Sequence, residues 1–282
     1  MEQEVTIRED DAKQVVRDLG IPPCPEILTR LLAEMRKEEP DYRTVSNIVS
    51  EDVSLAAAML KTVNSAFFAL RNKATSVRQA LALLGLRNVK EIVTGLLLRN
   101  SLMKADSKVL ERFWETSSDI AQTASLLAKS LAGLDREDVY TFALFRDRGI
   151  PLMVLRFPEY EDFYSKAVAD TQLLTEAENA QFGIDHARVG AELARSWHLP
   201  DETCNSIAMS HDYSKLTGDE IPVRERKLIA LGLVAEYIYS RCNSDEAGQD
   251  WAIGGNDAIA ALGIDEDAIE DQVQMVEGIL AL

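Results

Sequence analysis

The stretch Phe182-Gly183-Ile184-Asp185-His186-Ala187-Arg188-Val189-Gly190-Ala191 decides how this chain folds. Asp185 is suited to cap a helix, because its side-chain oxygen can accept from the first free backbone N–H groups. The helix it opens carries Val189, Leu193 and Trp197 on one face, four residues apart. Just upstream, Thr175-Glu176-Ala177-Glu178 reads as a capping box. The same signals recur further out. Pro25 to Glu38 puts Ile27, Leu28, Leu31, Leu32 and Met35 on one face, with Pro25 in the first turn, where its missing N–H is not needed. Ser76-Val77-Arg78-Gln79 is a second capping box, opening a helix expected to stop at Gly85. Asn88-Val89-Lys90-Glu91 opens the next, with Ile92, Val93, Leu96 and Leu97 apolar. Leu110 to Leu131 and Val223 to Tyr239 read as helices as well. Alternating strand patterns are scarce, and no Asn-Gly or Asp-Gly hairpin turn occurs. The expectation is an all-α protein of about a dozen helices.

Composition bounds the function. The 282 residues are 46% hydrophobic and 27% charged, ordinary for a soluble globular protein with a sizeable core. Lys and Arg number 30 against 47 Asp and Glu, a net −17 that repels phosphate backbones unless a basic face is segregated. No apolar run approaches the ~18–20 residues that span a bilayer. The start, Met1-Glu2-Gln3-Glu4, is acidic where a leader would be basic and then apolar. Cys24, Cys204 and Cys242 are too scattered for a disulfide framework or a metal knuckle. The expected compartment is the cytoplasm. Charge is unevenly distributed. Lys61 to Lys104 holds eight bases and one acid, +7, whereas Cys242 to Leu282 holds ten acids and no base, −10. The two segments are expected to attract each other weakly, within one chain or between two. Polar residues near Ser101–Lys108 suggest two lobes, 1–103 and 104–282, the second ending in an acidic tail.

Signatures of phosphate-binding loops, dinucleotide folds, HExxH metal helices and GxSxG nucleophiles are absent. The three histidines are His186, His198 and His211. On the residues alone, His186 is a helix-start histidine beside a capping aspartate, His211 a polar structural residue, and Asp147 a salt-bridge or cap residue. A set of segments gives them a second meaning. Ile21-Pro22-Pro23-Cys24-Pro25-Glu26, Ser50-Glu51-Asp52-Val53-Ser54-Leu55, Asn64-Ser65-Ala66-Phe67-Phe68, Ser76 to Leu81 with Leu84-Gly85, and Phe182 to Ala191 together resemble the HDOD domain. That family is a bacterial relative of the HD and HD-GYP metal phosphohydrolases. The resemblance runs from about Ile21 to Tyr239 and implies a two-lobed helical architecture with an HD-like C-terminal lobe.

The resemblance also implies where a metal site would lie. The HD ligand positions fall on Thr116, Arg146, Asp147, His186, Ser210, His211 and, near the last Asp, Glu236. Asp147, His186, His211 and Glu236 keep ligand chemistry; Thr116, Arg146 and Ser210 do not. Arg has no lone pair to give and adds a repelling charge, so Arg146 is expected to pair with Asp147 or Glu236, with Arg148 another candidate partner. Without a metal, no water is acidified. The expectation is therefore a non-catalytic signalling module with a degenerate site, no metal, no cofactor and no catalytic residue. Its partners would be regulatory proteins, with a second copy of the chain left open, and neither membrane nor nucleic acid. Two alternatives stand beside it. One is a metal-dependent phosphohydrolase of nucleotides or cyclic dinucleotides. The other is a nucleotide or nucleic-acid binder using the basic 61–104 face, on which Lys61, Arg71, Lys73, Arg78, Arg87 and Lys90 are also the candidate protein-binding residues.

Overall fold

A computed structural model of the chain describes residues 20–65, 68, 70, 73–102, 108–128, 134–168, 172–243 and 248–280. Among these the regular structure is helical, with no strand. No helix is long and apolar enough to cross a membrane. Contacts divide the chain at Pro22/Pro23, Met103/Lys104 and Ile269/Glu270 into two compact units.

The unit spanning Pro23 to Met103 and the chain from Glu270 contains α1 (Glu26–Met35), α2 (Tyr42–Ser50), α3 (Val53–Val63) and α4 (Val77–Leu102). Asp41 caps α2 by accepting from Arg43 N at 3.0 Å, and Asp52 caps α3 by accepting from Leu55 N at 3.0 Å. Within α4 the backbone leaves the helical region at Gly85 (φ 81°, ψ 168°), so α4 is two helices meeting at a kink, with the stop where the sequence places it. Only glycine takes that φ without strain. Leu31, Val45, Val49, Leu55, Met59, Val63, Val89 and Leu98 are fully buried and form this unit's core.

The other unit, Lys104 to Ile269 with the approach to Pro22, contains α5 (Lys108–Leu127), α6 (Arg136–Phe145), α7 (Gly149–Arg156), α8 (Tyr160–Ala167), α9 (Leu174–Phe182), α10 (His186–Ser196) and α11 (Asp201–Ala208). A 3-10 turn at Tyr213–Leu216, α12 (Val223–Cys242) and α13 (Gln249–Leu262) complete it. The last helix, α14 (Glu266–Leu280), begins in this unit and continues into the other. The acidic stretch after Cys242 is thus no free tail: it holds two helices. Inside α12 an unbroken run, Leu228 to Ala235, is buried on every side, because α5, α6, α11 and α13 all pack against it. Burying each such Leu, Ile or Val side chain contributes roughly 1.5–3 kcal/mol. Trp197, at the end of α10, meets Phe145 edge-on at 5.7 Å and donates its indole N–H to Pro22 O at 3.0 Å.

Two backbones approach closely where α7 crosses α10. A Cβ on Gly149 would lie 1.9 Å from His186 O, and one on Gly190 would lie 3.2 Å from Phe145 O. This crossing fixes His186 beside the turn that carries Arg146 and Asp147.

Candidate functional site

The site is assembled from short-range features of five elements. Arg146 ends α6, its N–H bonded to Phe142 O at 2.9 Å, and Asp147 follows in the turn. Asp185 caps α10 by accepting from Arg188 N at 2.9 Å, which makes His186 the first helical residue. His211 sits on the turn after α11, Glu236 on α12, and Asp250 on the first turn of α13.

Each imidazole has its Nδ1 against a carboxylate. His186 Nδ1 is 2.7 Å from Glu178 Oε2, and His211 Nδ1 is 2.7 Å from Asp250 Oδ2. A carboxylate only accepts, so both Nδ1 atoms carry the proton. Glu178 is fully buried and also accepts the His186 backbone N–H at 2.9 Å and the Tyr160 hydroxyl. Asp250 Oδ2 also accepts the Tyr213 hydroxyl at 2.5 Å. The two Nε2 atoms are thereby turned toward each other, 3.1 Å apart. Asp147 Oδ1 lies 2.9 Å from His211 Nε2 and 3.7 Å from His186 Nε2. Two lone pairs do not face each other at that distance, so a proton or a cation must lie between them.

Electrostatics favours the proton in this form of the protein. Burial works against a charged His186, but Glu178 and Asp147 outweigh it and hold the imidazole well above its usual range. His211 is raised too: burial and Arg146 oppose its charge, and the hydrogen bonds to Asp147 and Asp250 prevail. For Asp147 burial pushes the carboxyl up, while Arg146 and the two histidines pull it well below the carboxylate range. Asp250 is lowered for the same reason, burial being overcome by His211 and Arg146.

Arg146 sits at the centre with 2% of its side chain exposed. Its Nη1 lies 2.9 Å from Glu236 Oε2, an ion pair whose geometry does not line up as a hydrogen bond. Its Nε is 3.7 Å from Asp147 Oδ1 and its Nη2 3.8 Å from Asp250 Oδ2. Arg148 goes elsewhere: it stacks over Trp114 (4.6 Å) and Phe113 (5.1 Å) and donates to Ser117 Oγ at 2.8 Å. Thr116, half-buried on α5, turns its hydroxyl back to Phe113 O at 3.4 Å. Ser210 is fully buried, its hydroxyl without a hydrogen-bond partner among the described residues.

These donors set a limit on metal chemistry. Asp147 Oδ1, His186 Nε2 and His211 Nε2 lie within 4.8 Å of one another. Ligands ~2.0–2.2 Å from a single ion stand about 3.0–3.4 Å apart, so the three fit one divalent ion. A two-ion centre does not fit, because the guanidinium takes the ground between Glu236 and Asp250, and Thr116 and Ser210 offer only hydroxyls.

Sequence reasoning missed Glu178, Asp250, Tyr213 and Tyr160. Glu178 looked like part of a capping box, but α9 starts at Leu174 with no side-chain cap. Asp250 was one acid among ten. A usable signal stood nearby: Gly254 and Gly255 inside one helix mark close approach. A Cβ on Gly254 would lie 2.5 Å from the Tyr213 ring, and one on Gly255 2.9 Å from Trp251. Trp251 in turn stacks on Tyr237 at 3.8 Å, joining α13 to α12 beside Asp250 and Glu236. The basic candidates lie in the other unit: Lys61, Lys73, Arg78 and Arg87 are exposed, Lys90 is half-buried, and Arg71 lies outside the described residues.

Solved structures share the fold. A Shewanella amazonensis SB2B protein, described provisionally as a phosphohydrolase, aligns with TM-score 0.75 and 22% identity, covering 95% of this chain and 94% of that one. An HDOD domain protein of unknown function from Geobacter sulfurreducens gives 0.75 and 20%, with 97% of each chain covered. A Marinobacter aquaeolei VT8 protein, described provisionally as acting in signal transduction, gives 0.69 and 20%, over 95% of this chain and 61% of that one. The chain spans less than two fifths of the length of the curated relatives it matches, 37% of one and 15% of another. The HDOD domain profile matches residues 21–213, about two thirds of the sequence, and the chain belongs to the HDOD family.

Proposed function

We propose that this chain is a non-catalytic signal-transduction module that acts by binding protein partners, built on an HD-type site that does not hydrolyse phosphodiesters. The observation that carries this is Arg146. A buried guanidinium at the position of the HD pair's histidine lies within 4 Å of Glu236, Asp147 and Asp250, so the carboxylates that would hold ions already have a permanent cation. Any ion bound beside it meets that charge in a site of lowered dielectric. Charge argues against nucleic acid as the partner. The segment 104–269 carries 16 Lys and Arg against 30 Asp and Glu, −14.

A second reading has its own support. Asp147, His186 and His211 would hold a single ion, oriented by Glu178 and Asp250, and the ion would supply an acidified water to a phosphohydrolase. Purification without chelator, followed by Mn²⁺, Fe²⁺ or Mg²⁺ and elemental analysis, separates the two. The module reading expects less than stoichiometric metal and no hydrolysis of bis-p-nitrophenyl phosphate or a cyclic dinucleotide. Stoichiometric metal with hydrolysis abolished by His186→Ala overturns it.

A further inference from the structure

A cavity of about 550 Å³ opens beside the histidine pair, between the start of α9, the start of α10, the Met209–Ser214 turn and α13. Its volume lies within the usual range for ligand sites, ~300–1,000 Å³. Its apolar lining includes Ala187, Met209 and Ile253, the last 45% exposed. The polar lining includes three carboxylates, Glu176, Asp185 and Asp212. Glu176 and Asp212 are exposed, and neither forms an ion pair among the described residues. Asn179 spends its amide N–H groups on Thr175 O (2.8 Å) and Asp185 Oδ2 (2.7 Å), which leaves its carbonyl oxygen as an acceptor. Two cations share the lining and both are already matched: Arg188 stands 3.4 Å from Asp185, and His211 has Asp147 at 2.9 Å and Asp250 at 2.7 Å.

We propose that this cavity docks a lysine or arginine side chain of a protein partner, with the alkyl stem on the apolar lining and the charge met by Glu176 and Asp212. The inference rests on the partner-binding reading above and names the chemistry of the partner. Long basic side chains suit such a place, because their stems bury along apolar surface while the head stays polar. The −14 of residues 104–269 would steer a basic segment toward this unit. The volume exceeds one side chain, so residues flanking the anchor would enter with it.

The test is fluorescence anisotropy on the full chain. The probe is a fluorescein-labelled ten-residue peptide of Arg, Lys, Ala and Gly, beside a counterpart with Glu at every basic position. The basic peptide is expected to bind, the acidic one not. The double variant Glu176→Lys/Asp212→Lys should weaken binding roughly tenfold. The charge-matched control Glu159→Lys/Asp162→Lys, outside the cavity, should change it less than twofold. Absence of binding, equal loss in both double variants, or full displacement by spermidine overturns the proposal. The metal assay is independent of this titration. Hydrolysis there would defeat the module reading, while a null peptide result with no metal would defeat only the docking site.

Discussion

Gly149→Ala would place a methyl group where two helices leave no room. The built Cβ lies 1.9 Å from His186 O, 2.7 Å from its carbonyl carbon and 2.8 Å from its Cα, all backbone atoms that cannot rotate away. Ordinary contact begins at 3.4 Å, so α7 and α10 must separate by about 1.5 Å at this point. Overpacking of this kind costs ~1–3 kcal/mol and occasionally more, and the helix preference of Ala over Gly returns at most ~1 kcal/mol. The expected net loss is about 1–3 kcal/mol of unfolding free energy, or about 2–12 °C in Tm. The same displacement carries His186 away from Glu178, so its 2.7 Å hydrogen bond should break. Gly190→Ala is the internal control. Its Cβ would meet Phe145 O at 3.2 Å and Gly149 N at 3.4 Å, contacts that relax with a few tenths of an ångström. Thermal unfolding followed by circular dichroism measures both, and imidazole NMR reports His186. A Gly149→Ala protein within ~2 °C of the parent, or a Gly190→Ala protein that is the less stable of the two, would refute the close-crossing account.

Three further outcomes follow from the same geometry. Gly254→Ala puts a Cβ 2.5 Å from the Tyr213 ring, and the His211 ring resonances should shift as the Tyr213–Asp250–His211 contacts open, with the fold retained in far-UV circular dichroism. Arg146→His removes the central cation and restores an imidazole beside Asp147; Mn²⁺ affinity by calorimetry should rise at least ~10-fold, and an unchanged affinity would show that Arg146 is not what excludes the ion. Asp119 on α5 has its carboxyl pushed up to about 6 by burial alone. A raised carboxyl pKa favours the folded state while protonated and loses that advantage as pH rises through about 6, so Asp119→Asn should add about 1–3 kcal/mol at pH 8 and nothing near pH 4. A chemical-denaturation series at the two pH values checks the sign.

The helices were legible because their signals are local. Asp185 capping α10 and the apolar run inside α12 need no knowledge of the rest of the chain. The break at Gly85 was legible too: the glycine stop and the second helix beyond it both show in the local sequence. The acids of the site were hidden for a physical reason. Glu178 and Asp250 act on imidazoles 8 and 39 residues away; nothing beside Glu178 separates it from a solvated surface acid, and beside Asp250 only the Gly254–Gly255 pair does. What does separate them is the packing that puts them there. Gly254 lets α13 close on Tyr213, Gly255 leaves room for the Trp251 ring of the same helix that stacks on Tyr237, and the Gly149–His186 approach lets α7 close on α10.

That packing also explains why a site can keep its shape while its chemistry changes. Four carboxylates, Asp147, Glu178, Glu236 and Asp250, face Arg146, His186 and His211. With both imidazoles protonated the sum is one negative charge. With both neutral and one divalent ion between them it is the same. The partners that orient a metal-binding histidine through Nδ1 are also the partners that stabilise an imidazolium. Glu178 and Asp250 therefore serve either occupant, and keeping them in place does not by itself select for a metal. The guanidinium breaks the symmetry. Arg146 adds a charge that cannot be released as a proton, so the centre has one position fewer for an ion and one fewer ligand to hold it. On the proposed reading, the elements that would position metal ligands hold instead a core whose charges nearly cancel. The cavity beside His211, with Glu176 and Asp212 in its lining, would then be where this unit meets a partner.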